Sequence, residues 1–215
     1  LTLENGSMMN LNGTLTGTKV TGATGAVLNI GDSTHAGILS LASGSTLTGT
    51  TVFLDPAWSV TDEITDASKL ADSNTTLDYS LTVGQNSVAS LGTSDNSEAE
   101  TYFAQSAQSW GEDGITAALY LAKPITLTAA TGGIKVDGSL TASNIAGNYA
   151  AANTAAFGAN SLLIVNTANL GGSAALKSTK GTLTVDNTAK LYLTDTASAA
   201  VGTTYTIVSG FTTTT

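Results

Sequence analysis

Residues 181–193 read GTLTVDNTAKLYL. Two short runs, TLTV and KLYL, alternate polar and apolar residues on either side of a turn-like DNT. A period of two puts Leu and Val on one side of a strand and Thr on the other. The first phrase nearly recurs: GTLT stands at 13–16, STLT at 45–48 and GSLT at 138–141. The spacings suit coils of about 20 residues with insertions.

Similar signals fill the chain, about one every ten residues. They include MMNLNG, AVLNI, GILSLA, STLTGTTVFLD, TLDYSLTV, GITAALYLA, ITLTA, GIKVDG, SLLIV and TYTIV. Turn residues such as GDS, ASG and GGS separate them. Only Pro56 and Pro124 interrupt, the second at a corner after a strand.

Two stretches read differently. Residues 97–110, SEAETYFAQSAQSW, predict a helix with Ser97 as cap and Glu100 at capping-box spacing. Tyr102, Phe103, Ala107 and Trp110 would share one helical face. Residues 144–157, NIAGNYAAANTAAF, are Ala-rich and predict a short helix or loop. Segments 95–113 and 144–158 are therefore expected to be insertions leaving a β scaffold, the first of them protruding.

Composition agrees. Charged residues make up 11% of the 215, and Thr, Ser, Asn and Gly take their place. Thr favours strands, and Gly, Asn and Ser serve corners. The 7 cations are all Lys, and the net charge is −9. Nucleic acid and anionic membrane surfaces are poor partners for such a chain. Without Cys there are no disulfides and no thiolate metal sites. No apolar run approaches a membrane span. The start, LTLENGSMM, does not read as a signal peptide, and the chain reads as one section of something longer.

The fold expected is all-β: a right-handed parallel β-helix with one or two short helical or loop insertions. Inward Leu, Val and Ile would stack into an apolar column, and outward Thr, Ser and Asn would meet water. An antiparallel sandwich would show similar alternation. Two-residue hairpin signals are scarce, with Asn5–Gly6 and Asn12–Gly13 the exceptions, which favours the solenoid.

The segments GGIKVDG (132–138), AKLYL (189–193) and GTTYTIVSGF (202–211) resemble the passenger domains of bacterial autotransporter adhesins. WGEDGITAALYLAKPITL, at 110–127, is similar to the strand-rich segments between coils of that family. The resemblance implies a parallel β-helix displayed on the surface of a Gram-negative cell, or secreted. It implies a stalk that supports adhesion or self-association. The partner would be a host glycoprotein, a glycan or a sister molecule, with no enzyme activity and no cofactor.

Chemistry-bearing residues are sparse. His35 lies in GDSTHAGIL beside Asp32, Ser33 and Thr34, a set expected to form one turn rather than a triad. Acids gather at Asp62, Glu63 and Asp66, at Asp95, Glu98 and Glu100, and at Glu112 and Asp113. The span 95–113 is the better place for a cation, though no metal site is expected. Asp95, Glu98, Tyr102, Trp110, Glu112 and Asp113 form the expected ligand-contact loop, because aromatics beside acids on a loop suit recognition. Trp58, Phe103 and Tyr120 are further aromatic candidates for stacking on a glycan.

Thr-x-Thr pairs recur at Thr14/Thr16/Thr18, Thr46/Thr48/Thr50, Thr126/Thr128, Thr182/Thr184, Thr194/Thr196 and Thr204/Thr206. Stacked in register, they would make an ice- or surface-binding array. A polysaccharide-acting enzyme is the other alternative, and it would need carboxylates converging on one face.

Overall fold

The stretch 181–193 does not fold back on itself. In the computed structural model, TLTV belongs to the strand Leu176–Val185 and KLYL to the strand Lys190–Thr194. Each pairs with an earlier part of the chain: Val185 lies in register with Phe157, and Lys190 with Leu162. The structure describes residues 1–56, 67–109, 114–195 and 200–213, with the backbone alone for 105–109.

Asp186 makes the corner between the two strands. One of its carboxylate oxygens accepts the Thr188 N–H at 2.8 Å and the Thr188 hydroxyl at 2.7 Å. Asp32 holds Thr34 and Asp137 holds Ser139 in the same double grip, and Asp95 holds Ser97 with one oxygen for each bond. A short acidic side chain that satisfies the backbone two residues on is a local turn former. Asp-x-Ser/Thr is thus a recurring corner of this chain. The phrase GTLT is not a recurring strand: GSLT at 138–141 lies in turns, and of STLT only Thr46 forms a bridge.

Every strand pairing among the described residues is parallel. This rules out the antiparallel sandwich for them. Among the described residues, seven strands form a smaller sheet, and a larger curled sheet runs through nine, with Val208–Thr213 pairing alongside. The strand Leu176–Val185 explains the curl. Its first residues pair with Ile125–Leu127 and its last with Thr154–Phe157, with a register shift between Lys177 and Gly181. A third, two-stranded ladder joins Thr2–Leu3 to Thr21–Gly22.

The chain alternates between the two large sheets. It runs Val27–Ile30 in the larger, Ile38–Leu41 in the smaller, then Thr51–Leu54, Ser68–Asp72, Ser80–Val83 and Ser87–Leu91 in turn. Each strand lies beside the previous strand of its own sheet, so like positions stack. Leu28, Val52, Leu81, Ile134 and Ala155 form one inward column, and Ile30, Leu54, Val83, Val136 and Phe157 the next. All ten are buried. Burying a Leu or Val side chain contributes about 1.5–3 kcal/mol, so these columns hold the sheets together.

Thr76–Leu77 and Ile125–Leu127, at the curled end of the larger sheet, are each followed by another strand of that sheet, and two longer excursions also break the alternation. Between Ser87–Leu91 and Ala117–Leu121, neighbours in the smaller sheet, the chain leaves to form the helix Ser97–Ser109. Between Gly133–Val136 and Thr154–Phe157, neighbours in the larger sheet, it leaves through turns. Both excursions cover sheet surface. Ala99 and Phe103 of the helix bury Val88, Ala118, Tyr120, Leu162 and Ile164 on the outer side of the smaller sheet. Leu140 and Ile145 bury Phe53, whose ring lies 5.3 Å from that of Tyr149. A strand buried on both sides no longer needs alternation, which is why AALYL and SLLIVN read as apolar runs.

Local readings change in three places. Ser97 is the first helical residue rather than the cap, since the Glu100 N–H donates to the Asn96 carbonyl at 2.8 Å. Glu100 instead pairs with Lys69 Nζ at 3.1 Å. The Ala-rich stretch takes the loop of its two readings over 144–153, and only its end differs, as the strand Thr154–Phe157. The last strand begins at Val208, so TYTI precedes it.

Candidate functional site

The foot of the helix meets the end of the smaller sheet in an open cleft of about 460 Å³. The corner after Ser87–Leu91 supplies Gly92, Thr93 and Asp95, and the helix supplies Ser97 and Glu98. Tyr120 and Lys123 come from the next strand and its corner, and Asn166 and Asn169 from the one beyond. Three stacked corners thus present their polar residues side by side. Gly92 lets the first turn so tightly. Its φ is +79°, and a Cβ there would stand 3.1 Å from the Lys123 backbone nitrogen.

Hydrogen bonds fix the walls. Asp95 accepts the Ser97 N–H at 2.9 Å and the Ser97 hydroxyl at 2.8 Å. The backbone N–H bond is the main reason its carboxyl titrates below the usual range. Tyr120 donates its hydroxyl to Glu98 Oε2 at 3.1 Å and accepts from Asn166 Nδ2 at 3.2 Å. Burial, with the Glu98 charge behind it, pushes the Tyr120 phenol up to about 12. Asn169 Nδ2 donates to the Ala122 carbonyl at 2.9 Å. Lys123 is exposed at the rim.

Tyr102 stands one helical turn beyond Glu98, on the same side. Its ring lies 5.0 Å from that of Tyr192, and both are half-buried. Burial raises the Tyr102 phenol, and the charge of Glu98 adds to it. Of the six loop residues expected from sequence, Asp95, Glu98 and Tyr102 therefore gather at one place. Trp110, Glu112 and Asp113 lie outside the described residues, as do Trp58, Asp62, Glu63, Asp66 and Thr196.

Tyr120, Asn166, Asn169 and Lys123 complete the cleft, and of these the sequence suggested only Tyr120. Lys123 lies close to Tyr120, but Asn166 and Asn169 stand 71 and 74 residues beyond Asp95, and only the stacking of strands unites them. Asn166 and Asn169 do share one legible feature: both follow an apolar run, where a corner must form.

The remaining expected sites resolve differently. His35 Nδ1 stands 3.3 Å from Asp32 Oδ1 and 2.7 Å from Thr34 Oγ1, on an exposed turn. Asp32 Oδ1 is committed to the Thr34 and His35 N–H groups, both at 2.7 Å, so it shapes the turn. The Thr34 N–H bond is the main cause that lowers its carboxyl to about 2. Thr14 and Thr16 face Ile38 and Ser40 rather than threonines. Thr126 faces Thr76, and Thr182 faces Thr154 and Thr212. In the strand pairings of the described residues, no Thr-x-Thr pair lies against another.

One buried pair had no sequence signal. Asp72 points inward, and it accepts from the Tyr79 hydroxyl at 3.0 Å and from the Asn74 N–H at 2.9 Å. Burial raises the Asp72 carboxyl despite these bonds. The chain matches no known family model, no curated protein and no solved structure.

Proposed function

We propose that this chain is a section of a right-handed parallel β-helix from an autotransporter-like passenger, displayed at the surface of a Gram-negative bacterium or secreted from it. Its work is mechanical and presentational, not catalytic. It is a stiff spacer that supports adhesion to a host glycoprotein or glycan, or self-association. One observation carries the reading: the inward column Leu28, Val52, Leu81, Ile134 and Ala155 runs in register through successive parallel strands. Strands that return to the same sheet at the same depth are what winding around one interior requires.

The two excursions are the recognition-bearing insertions of this scaffold, and the cleft at the helix foot is its ligand contact. The state of the cleft carboxylates favours binding over turnover. Asp95 is spent on the Ser97 corner, and Glu98 holds the Tyr120 hydroxyl.

Small-angle scattering joined to limited proteolysis tests the spacer. The expected result is an elongated particle whose strand segments resist protease while the two excursions are cut first. A near-spherical particle digested evenly along its length would overturn it. Surface display is tested by labelling intact cells of the source organism with an antibody to the chain.

A further inference from the structure

Resting on the adhesive reading above, we infer that the cleft at the helix foot takes an uncharged, hydroxyl-rich chain, a short segment of neutral glycan. The cleft size of about 460 Å³ lies within the range of small-ligand sites. Its lining is the stronger argument. Carboxylate, amide and ammonium groups stand together at Glu98, Asn166, Asn169 and Lys123. A sugar edge presents neighbouring hydroxyls that each donate and accept. Carboxylates and amide oxygens take the donated protons, while amide and ammonium N–H groups supply the return bonds.

The walls are already set. The Glu98–Tyr120–Asn166 chain of bonds holds its members in place before any ligand arrives, and Glu98 retains acceptor capacity beyond the Tyr120 bond. Asn169 has spent one N–H on the Ala122 carbonyl and keeps the other. Such preorganised polar groups lose little entropy on binding. Charge selects the class of sugar. Among the described residues of the lining, two carboxylates, Asp95 and Glu98, face one lysine, so acidic sugars are repelled.

An apolar element stands on the helix next to Glu98. Tyr102 continues the line of the helix beyond Glu98 and packs at a tilt against Tyr192. An aromatic ring with a polar tip suits a sugar, whose C–H face is apolar and whose edge is wet. The cleft is open, so a chain can pass along it rather than end in it.

The test is a printed array on which neutral hexose and N-acetylhexosamine oligosaccharides stand beside sialylated and sulfated ones. The best neutral probe is then titrated against the unmodified chain and three variants. Neutral probes are expected to bind, and Glu98→Gln and Lys123→Ala each to weaken the best of them about tenfold, the loss of one charged hydrogen bond. Lys135→Ala removes the same charge from the larger sheet and is expected to change nothing. Lys123 is exposed, so its variant retains the fold even if Glu98→Gln disturbs the Tyr120 network. An array with no neutral ligand, a preference for acidic sugars, or binding that ignores both cleft variants would overturn the inference. The elongated scattering profile and protease resistance, measured on the same preparation, tell that failure apart from failure of the spacer.

Discussion

Residues 80–83 read SLTV and residues 182–185 read TLTV. By sequence they are one strand written twice, and both lie in the larger sheet. Yet Val83 is fully buried, while Val185 is 55% exposed. Leu81 and Leu183 stand in one inward column, separated by Ile134 and Ala155. Leu81 has Val52 on one side and Ile134 on the other, whereas beyond Leu183 the column continues in Thr213. The same alternation thus gives a core in one region and a half-covered end in the other. Burial here is a property of the neighbouring layers, and the strand only makes itself available to them.

The sharpest way to break this comparison is to truncate both leucines. Leu81→Ala leaves a cavity between two buried neighbours and is expected to cost about 2–5 kcal/mol. Leu183→Ala is expected to cost under about 2 kcal/mol, because it is only half-buried and its surroundings can relax. Val185→Ala should fall within about 0.5 kcal/mol of no effect. Urea titration of the three variants measures the gradient. Equal losses at Leu81 and Leu183 would mean that position along the stack does not govern stability.

A second effect, smaller for the whole chain, concerns the helix. The outer side of the smaller sheet is apolar where the helix covers it, at Val88, Ala118 and Leu162. Earlier strands of that sheet carry Thr14, Thr16 and Ser40 outward. Phe103 is 5% exposed and anchors the helix on the apolar patch. Phe103→Ala is expected to lower the cost of opening the helix by about 3 kcal/mol while the inward columns persist. Hydrogen exchange reads this directly. Amides of the helix should exchange faster by about a hundredfold, and those of Leu28, Leu81 and Ile134 should not change. Uniform acceleration would show that helix and sheets open as one unit.

These contrasts explain what was legible beforehand. Strands whose outer side meets water announced themselves, as in GILSLA and GIKVDG. SKLAD and SVASL did not. Lys69 is held by Glu100, and Asp72 by Tyr79 and Asn74, so polar residues there are buried and the alternation is masked. The helix was legible from its own residues, but its resting place was not, because the patch beneath it draws on four strands. For the same reason the sequence offered Asp95, Glu98 and Tyr120 for the cleft but not Asn166 or Asn169. Parallel stacking joins residues more than 40 positions apart, and no local pattern encodes that distance.

The smallest effect separates two aspartates by the same logic. Asp32, on an exposed turn, is lowered to about 2, chiefly by the Thr34 N–H bond. Asp55, half-buried at the end of Thr51–Leu54, is raised to about 6 by burial, which the 3.4 Å bond from Asn29 only partly offsets. Their contributions to stability therefore run in opposite directions. That of Asp32 is present above about pH 4 and is lost as pH falls through about 2. That of Asp55 is present below about pH 4 and is lost as pH rises through about 6. The Asp72 carboxyl, also raised, acts in the direction of Asp55. Asp55→Asn keeps the size of the side chain and removes the charge that neutral pH forces into the site. The unfolding temperature of this variant should exceed that of the unmodified chain by about 2–4 °C at pH 7.5 and match it at pH 4.5. A thermal melt at the two pH values decides. A gain of the same size at both would mean that the substitution acts through packing, and that the Asp55 carboxyl is not the group whose charging opposes folding.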